Sequence, residues 1–304
     1  MVFTTRRQTT VLTGHVGAVH CVTYSSLTGT YCLSGGSDRK IHLWNPSTST
    51  KIQTYAGHGY EVLSLTCSPD NALFASAGGD KLVFLWDVAT ATTLRRLEGH
   101  WARVNAVAFS ATGDGGLLAS GSYDATVKLW DVRSRDRRPV QSLDDAKDAV
   151  TDVVVGGAEV VASSVDGRVR AYDVRMARCV VDVISPAPVT SLRVSRDGKA
   201  LLVAALDGSV RLMDRTNGGL LMRYKGHKNE ALRVRCAFAQ DEEFVVCGSE
   251  SGELWVWDLV EGRVVQRLQC HGGKVVSSVE WAPGTGRRQM ITGGADGTVV
   301  VWGE

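Results

Sequence analysis

Four times along the chain a histidine, a hydroxyl side chain, an aspartate and a tryptophan recur at matched spacing: His15, Ser34, Asp38, Trp44; His58, Ser76, Asp80, Trp86; His100, Ser120, Asp124, Trp130; and His271, Thr292, Asp296, Trp302. Hydroxyl, imidazole and carboxylate are the parts of a nucleophilic triad, in which the imidazole takes the hydroxyl proton and the carboxylate orients the imidazole. An active site is normally single, however, and four similar sets would be four separate sites. The alternative is that indole N–H, hydroxyl, imidazole and carboxylate satisfy one another inside each repeat, because a polar group left unpaired in a core costs about 1–3 kcal/mol. The tetrads are therefore read as structural, with tryptophan serving by its donor as well as its bulk. Beyond them no catalytic, cofactor-binding or metal-binding set is found, and no enzyme is expected.

The elements that position such tetrads follow from their period. Aligned on the tryptophan slot, the chain reads Trp44, Trp86, Trp130, Tyr172, Met213, Trp257 and Trp302, with gaps of 42, 44, 42, 41, 44 and 45 residues. Four-stranded units of this length stack radially, since one such sheet cannot bury both faces alone, and seven of them close a ring around a channel. The expected fold is all-β: a seven-bladed β-propeller that takes up residues 1–304 as one domain. Within the third unit, alternation predicts strands at Val104–Phe109, 117–121 and 126–130, and a more exposed outer strand follows each Trp-Asp, as at Thr93–Leu97. Loops from the outer strand to the next blade, and from second to third strand, share one face, the top. Loops around Asp114, Asp197 and 241–243 share the other. The seventh unit ends after its third strand, so residues 8–12 are expected to supply its outer strand and close the ring.

Composition narrows the function classes. There are 34 Lys+Arg against 32 Asp+Glu, a net charge of +2, so bulk charge draws the chain neither to nucleic acid nor to a membrane. Residues 1–10 carry Arg6 and Arg7 but no apolar stretch, and no run of 18 apolar residues occurs, so a soluble protein without a secretory signal is expected. Seven cysteines with no Cys-x-x-Cys suggest neither a zinc site nor a disulfide framework, and reduced thiols are the default. The equal spacing of Cys21 to Cys32 and Cys236 to Cys247 places each pair on neighbouring strands of one blade.

Blades four to six depart from the tetrad. Blade four has Ala162 in the hydroxyl slot, with Asp166 and Tyr172; blade five has Val203, with Asp207 and Met213; blade six keeps His227 and Trp257 but offers Cys247 and Ser251. These blades are expected to open most easily. For partners, Tyr60, Glu61, Trp101, Arg103 and Tyr123 fall in top loops of blades two and three, a composition typical of interface hot spots, with Trp255 and Trp281 as weaker candidates. Arg133, Arg135, Arg137 and Arg138 crowd the bottom connection of blade three, and Arg175 and Arg178 the matching one of blade four. Together they form a possible basic sector for RNA phosphates or an acidic protein segment. No stacking aromatics interleave with them, which argues against dedicated single-strand RNA binding.

The repeat resembles the WD-repeat propellers. Residues 57–63 (Gly-His-Gly-Tyr-Glu-Val-Leu), 164–170 (Ser-Val-Asp-Gly-Arg-Val-Arg), 224–229 (Tyr-Lys-Gly-His-Lys-Asn) and 257–262 (Trp-Asp-Leu-Val-Glu-Gly) are similar to a branch of mitogen-activated protein kinase organizers within it. That resemblance implies a non-enzymatic, cofactor-free scaffold for protein partners. It implies components of an extracellular-signal-regulated kinase cascade or pre-mRNA splicing factors of the catalytic-stage spliceosome, a nuclear and cytoplasmic location, no membrane and no small-molecule substrate. An adaptor or substrate receptor of another complex, or an RNA-contacting subunit, is the alternative.

Overall fold

The computed structural model describes residues 3–110, 115–176, 178–284 and 288–304; the Asp114 loop expected on the bottom face lies outside them. The chain starts with strand β1 (Arg7–Thr13). Blade one is β2 (Val19–Tyr24), β3 (Cys32–Gly36), β4 (Lys40–Asn45) and β5 (Thr50–Ala56); blade two is β6 (Val62–Cys67), β7 (Leu73–Gly78), β8 (Val83–Asp87) and β9 (Thr93–Leu97). Blade three is β10 (Val104–Phe109), β11 (Leu117–Ser122), β12 (Val127–Asp131) and β13 (Gln141–Leu143); blade four is β14 (Val150–Gly156), β15 (Glu159–Ser164), β16 (Arg168–Asp173) and β17 (Arg178–Val183). Blade five is β18 (Val189–Val194), β19 (Ala200–Ala205), β20 (Ser209–Asp214) and β21 (Leu220–Lys225); blade six is β22 (Cys236–Ala239), β23 (Phe244–Gly248), β24 (Glu253–Asp258) and β25 (Val264–Gln269). The last blade contains β26 (Val276–Trp281), β27 (Met290–Gly294) and β28 (Thr298–Gly303). Its order is β1-β28-β27-β26, with Val11 opposite Val300 and Leu12 opposite Val299. The two ends of the chain thus share one sheet, as the missing outer strand requires.

First strands pack neighbour to neighbour right round the ring, from β2 through β26 and back to β2. Side-chain oxygens tie them together: Ser64 Oγ accepts from the Val107 N–H at 3.2 Å, and Ser278 Oγ from the Val22 N–H at 3.3 Å. The core lies between blades. Trp86, for example, is buried with Tyr55, Phe74 and Phe84 of blades one and two. Such a ring removes roughly 200 Å² from water, worth at most about 5 kcal/mol. The turn after the second strand is held by an aspartate in most blades. Asp38 accepts from the Lys40 N–H and Asp124 from the Thr126 N–H, while the following residue takes a left-handed conformation. In blade four that residue is Gly167 (φ 78°), where a Cβ would lie 1.9 Å from the Ser185 carbonyl oxygen, so only glycine fits.

Candidate functional site

All four tetrads assemble. Histidine Nδ1 meets aspartate at 2.9 Å in blade one, 2.7 Å in blade two, 2.9 Å in blade three and 3.0 Å in blade seven. Histidine Nε2 meets Ser34, Ser76, Ser120 or Thr292 at 2.6–2.9 Å, and the indole of Trp44, Trp86, Trp130 or Trp302 donates to the same hydroxyl at 2.7–3.0 Å. The relay runs one way: indole N–H to hydroxyl oxygen, hydroxyl to Nε2, Nδ1–H to carboxylate. A triad nucleophile needs a free lone pair and an open approach. Here the indole engages one of the oxygen's two lone pairs, and burial closes the approach to the other, since all four hydroxyl residues have no solvent exposure. The geometry is that of a buried proton-ordered strut. Burial opposes ionisation of Asp38, yet hydrogen bonds from His15 and the amides of Lys40 and Val16 keep its carboxyl below the usual carboxylate range; Asp124 is held down in the same way by His100 and Thr126. In blade one the third strand adds His42, which brings three potential metal-ligand atoms of His15, Asp38 and His42 within 4.8 Å of one another. Asp38 is already committed to His15, and burial first, with the neighbouring His15 and Lys51 adding to it, lowers the His42 pKa to about 4.

Blades four and five replace the strut with an arginine that the sequence analysis missed. Ala162 lies opposite Arg170 and Val203 opposite Arg211, on the third strand. Arg170 Nη2 reaches Asp166 at 2.6 Å and Nη1 reaches Ser164 Oγ at 2.9 Å; Arg211 pairs with Asp207, which also takes Arg223 at 2.9 Å. One guanidinium therefore does the work of histidine, hydroxyl and indole, and the signal was an arginine four residues after the aspartate in both blades. Blade six has no such substitute. Trp257 turns its N–H to the Lys225 carbonyl at 3.1 Å, and both ring nitrogens of buried His227 lack a partner among the described residues.

A second set missed in the sequence occupies the channel. Asp152 on β14 stands where other first strands carry Cys21, Ser64, Ala106, Ser191 or Ser278, each paired with the equivalent position of its second strand. One of its oxygens accepts from the Leu192 N–H at 3.1 Å, as Ser64 does for Val107, and it also meets Arg193 at 3.2 Å and Arg233 at 3.4 Å. Arg233 donates across the ring to the Asn105 carbonyl at 2.6 Å, and Arg235 to Ser64 Oγ at 3.2 Å. Glu280 accepts from Thr23 Oγ1 at 3.2 Å and the Tyr24 N–H at 3.1 Å. Burial drives its pKa up, although Arg193 and Arg235 pull it down, whereas the three arginines outweigh burial at Asp152 and keep it ionised. These unrepeated charges strut the channel across its width above a bottom hollow of about 400 Å³ rimmed by Arg196, Asp241 and Glu242. Their oxygens and guanidinium nitrogens are spent largely on one another and on blade backbones.

Tyr60, Trp101 and Tyr123 lie in neighbouring loops of one face, 61%, 82% and 55% exposed. Trp101 stands out into solvent with no ring over it among the described residues, while the Arg103 guanidinium stacks 4.8 Å above Tyr123. Glu61 follows Tyr60 in the same loop, half-buried, its backbone oxygen accepting from the Gly79 N–H. Trp255 is not available: it is buried, stacked on Trp257 and covered by Arg267. Trp281 packs against Phe3. The arginines do not form the single bottom sector that was expected. Arg133 and Arg175 line one hollow. The chain after Arg133 instead leaves the bottom along the outer edge of blade two, where Arg95 donates to the carbonyls of Val132 and Ser134 and the Arg137 carbonyl accepts from Glu98 N–H. Arg137 and Arg138 are thereby placed on the rim between blades two and three; Arg135 is exposed on the same connection, and Arg178 lies at the start of the outer strand of blade four.

The model of the WD domain, G-beta repeat, matches residues 6–45, 49–87, 91–131, 179–214, 218–258 and 262–303, leaving 132–178 unmatched, which is where tryptophan, histidine and hydroxyl are all replaced. WD repeat domain-containing protein 83 of Rattus norvegicus is 42% identical over 278 residues, which is 91% of this chain and 87% of that protein. The Homo sapiens protein of that name is 43% identical over 88% of this chain and 83% of its own length, and the Dictyostelium discoideum homolog is 33% identical over 96% of each. With that repeat matched along most of its length and set in seven blades, the chain belongs to the WD-repeat family of β-propellers and is similar throughout to its members named WD repeat domain-containing protein 83.

Proposed function

We propose that the chain is a scaffold subunit that holds protein partners in a large nuclear or cytoplasmic assembly, with pre-mRNA splicing complexes first and mitogen-activated protein kinase cascades second. The observation that carries the scaffold reading is the cluster of Tyr60, Trp101 and Tyr123, three exposed rings with Arg103 and Glu61 on one face of a rigid ring. Rigid aromatic anchors beside an arginine are what protein interfaces concentrate. The tetrads, closed to substrate, supply rigidity rather than chemistry. The choice of assembly rests on the resemblance of residues 57–63, 164–170, 224–229 and 257–262 to kinase-organizer propellers that also belong to the spliceosome. Splicing stands first because relatives extend from Dictyostelium discoideum to mammals, and splicing machinery is shared more widely than any one cascade.

Affinity purification of the tagged full-length chain from nuclear extract at low salt, with mass spectrometry, tests this. Splicing factors are expected, or kinase-cascade components if the second assembly is the right one. The double variant Tyr60→Ala, Trp101→Ala is expected to lower their recovery roughly 30-fold, the equivalent of about 2 kcal/mol, with unchanged melting. Undiminished recovery removes the top face of blades two and three; recovery of neither class removes both assemblies.

A further inference from the structure

Outer strands of a propeller are sheet edges, and natural proteins blunt such edges with bulges, short length or charge. Six of the seven here are blunted by a bulge or by short length. β1, β5, β9, β21 and β25 each carry a register shift against the strand inside them, and β13 has only three residues. β17 is the exception: all six of its residues pair with β16 in unbroken register, from Arg168 opposite Val183 to Asp173 opposite Arg178. It is also the most apolar at its surface, with Val180 60%, Val181 44% and Val183 70% exposed and Cys179 beside them. The pattern inverts that of the other blades. Leu12, Tyr55, Leu97, Tyr224 and Leu268 turn an anchor into the core at the position where β17 has Asp182, opposite Val169.

Two features make this edge self-complementary. Ile184 N–H donates to the Gly167 carbonyl in continuation of the β16–β17 ladder. By the alternation of an antiparallel pair, Asp182, Val180 and Arg178 then turn their backbone groups inward, and those of Cys179, Val181 and Val183 face outward, unpaired in the sheet. A second copy of β17, laid antiparallel about a two-fold axis through Val180, sets Cys179 opposite Val181 as a hydrogen-bonded pair and Val180 opposite Val180. It also sets Arg178 opposite Asp182 twice, and neither residue is in an ion pair within the chain among the described residues. We propose that two copies of this chain join edge to edge through β17, extending blade four into an eight-stranded sheet that carries two propellers, and hence two top faces, in one scaffold.

Sedimentation velocity over a concentration series is expected to show a reversible dimer. Arg178→Asp and Asp182→Arg, each setting like charges opposite one another twice, are expected to weaken it roughly tenfold or more; the double variant Arg178→Asp, Asp182→Arg restores it. In a Cys179→Ser background, Val180→Cys is expected to oxidise to a covalent dimer, because facing residues of a non-hydrogen-bonded pair have the Cβ separation that a disulfide spans. Val260→Cys, 79% exposed in a turn of blade six, is the control. A monomer at every concentration, a dimer indifferent to both charge reversals, or crosslinking no faster than the control overturns the proposal.

Discussion

At the scale of single residues, hydrogen bonds decide which side chains are structural. His100 is bonded on both nitrogens, to Asp124 and Ser120, in a blade where Trp130 also depends on Ser120. His100→Ala is expected to cost roughly 1–3 kcal/mol in denaturant titration. Neither it nor Ser120→Ala is expected to change an ester- or peptide-hydrolysis assay; hydrolysis by the wild type that Ser120→Ala abolishes would falsify the structural assignment. His227 is the opposite case. Burial lowers its pKa to about 4 although Asp207 and Glu250 pull it up, whereas an unfolded imidazole titrates near 6.5. Between those values the unfolded chain binds a proton that the folded chain refuses, so stability is flat above about pH 6.5 and falls as pH drops towards 4. The loss is roughly 3 kcal/mol from this residue at pH 4. His42, His20 and His271, also lowered by burial, add to it in the same direction. Urea titrations at pH 7, 5.5 and 4 are expected to show this fall and a shallower one in His227→Phe; equal slopes would assign the acid loss to the other histidines and to carboxylates such as Asp38 and Asp124.

At the scale of elements, β1 is the one strand whose partner lies at the far end of the chain. It pairs with β28 from Arg7 opposite Gly303 to Thr13 opposite Thr298, and Leu12 is buried beside Val299 and Trp44. Deletion of residues 1–12 exposes the edge of β28 and opens the ring. A lower melting temperature or aggregation is expected, and unchanged melting with a monodisperse product would show that closure does not depend on β1. This element was legible because a missing strand at one end and a spare one at the other leave a single solution. The strands of the regular blades were legible for a similar reason, since a four-residue polar signature repeats with them. Blades four and five were legible in outline and misjudged in detail. Ala162 and Val203 looked like losses, but the compensating Arg170 and Arg211 lie on the next strand, and only the register of β15 with β16 and β19 with β20 sets them opposite. Breaking such a buried pair leaves an uncompensated carboxylate. Blade six, with an orphaned His227, is the better candidate for early opening.

At the scale of the whole molecule, the channel residues show where local reading ends. Asp152, Arg193, Arg233, Arg235 and Glu280 come from four blades and occur once each, so no period reveals them; only ring closure brings Arg233 to Asn105 and Arg235 to Ser64. The same closure redistributes the arginines that the sequence grouped into one basic sector. Arg133 and Arg175 share a hollow, while Arg137 is carried to the edge of blade two by the bond of its carbonyl to Glu98. What remains is a basic rim spread over blades two to four on a molecule of net charge +2, an electrostatic feature that acts within about a Debye length and only locally. Arg133 and Arg175, in their own hollow, suit a second partner held at the same time as the first, whereas Arg137, whose carbonyl takes the Glu98 N–H three residues before Trp101, borders the aromatic face. Charge reversal at Arg133, Arg135, Arg137 and Arg138 is therefore expected to lower recovery of those partners that bear RNA phosphates or acidic segments, increasingly so at low salt. If the reversal leaves every partner's recovery and salt dependence unchanged, the rim is solvated surface and the scaffold binds through the top face alone.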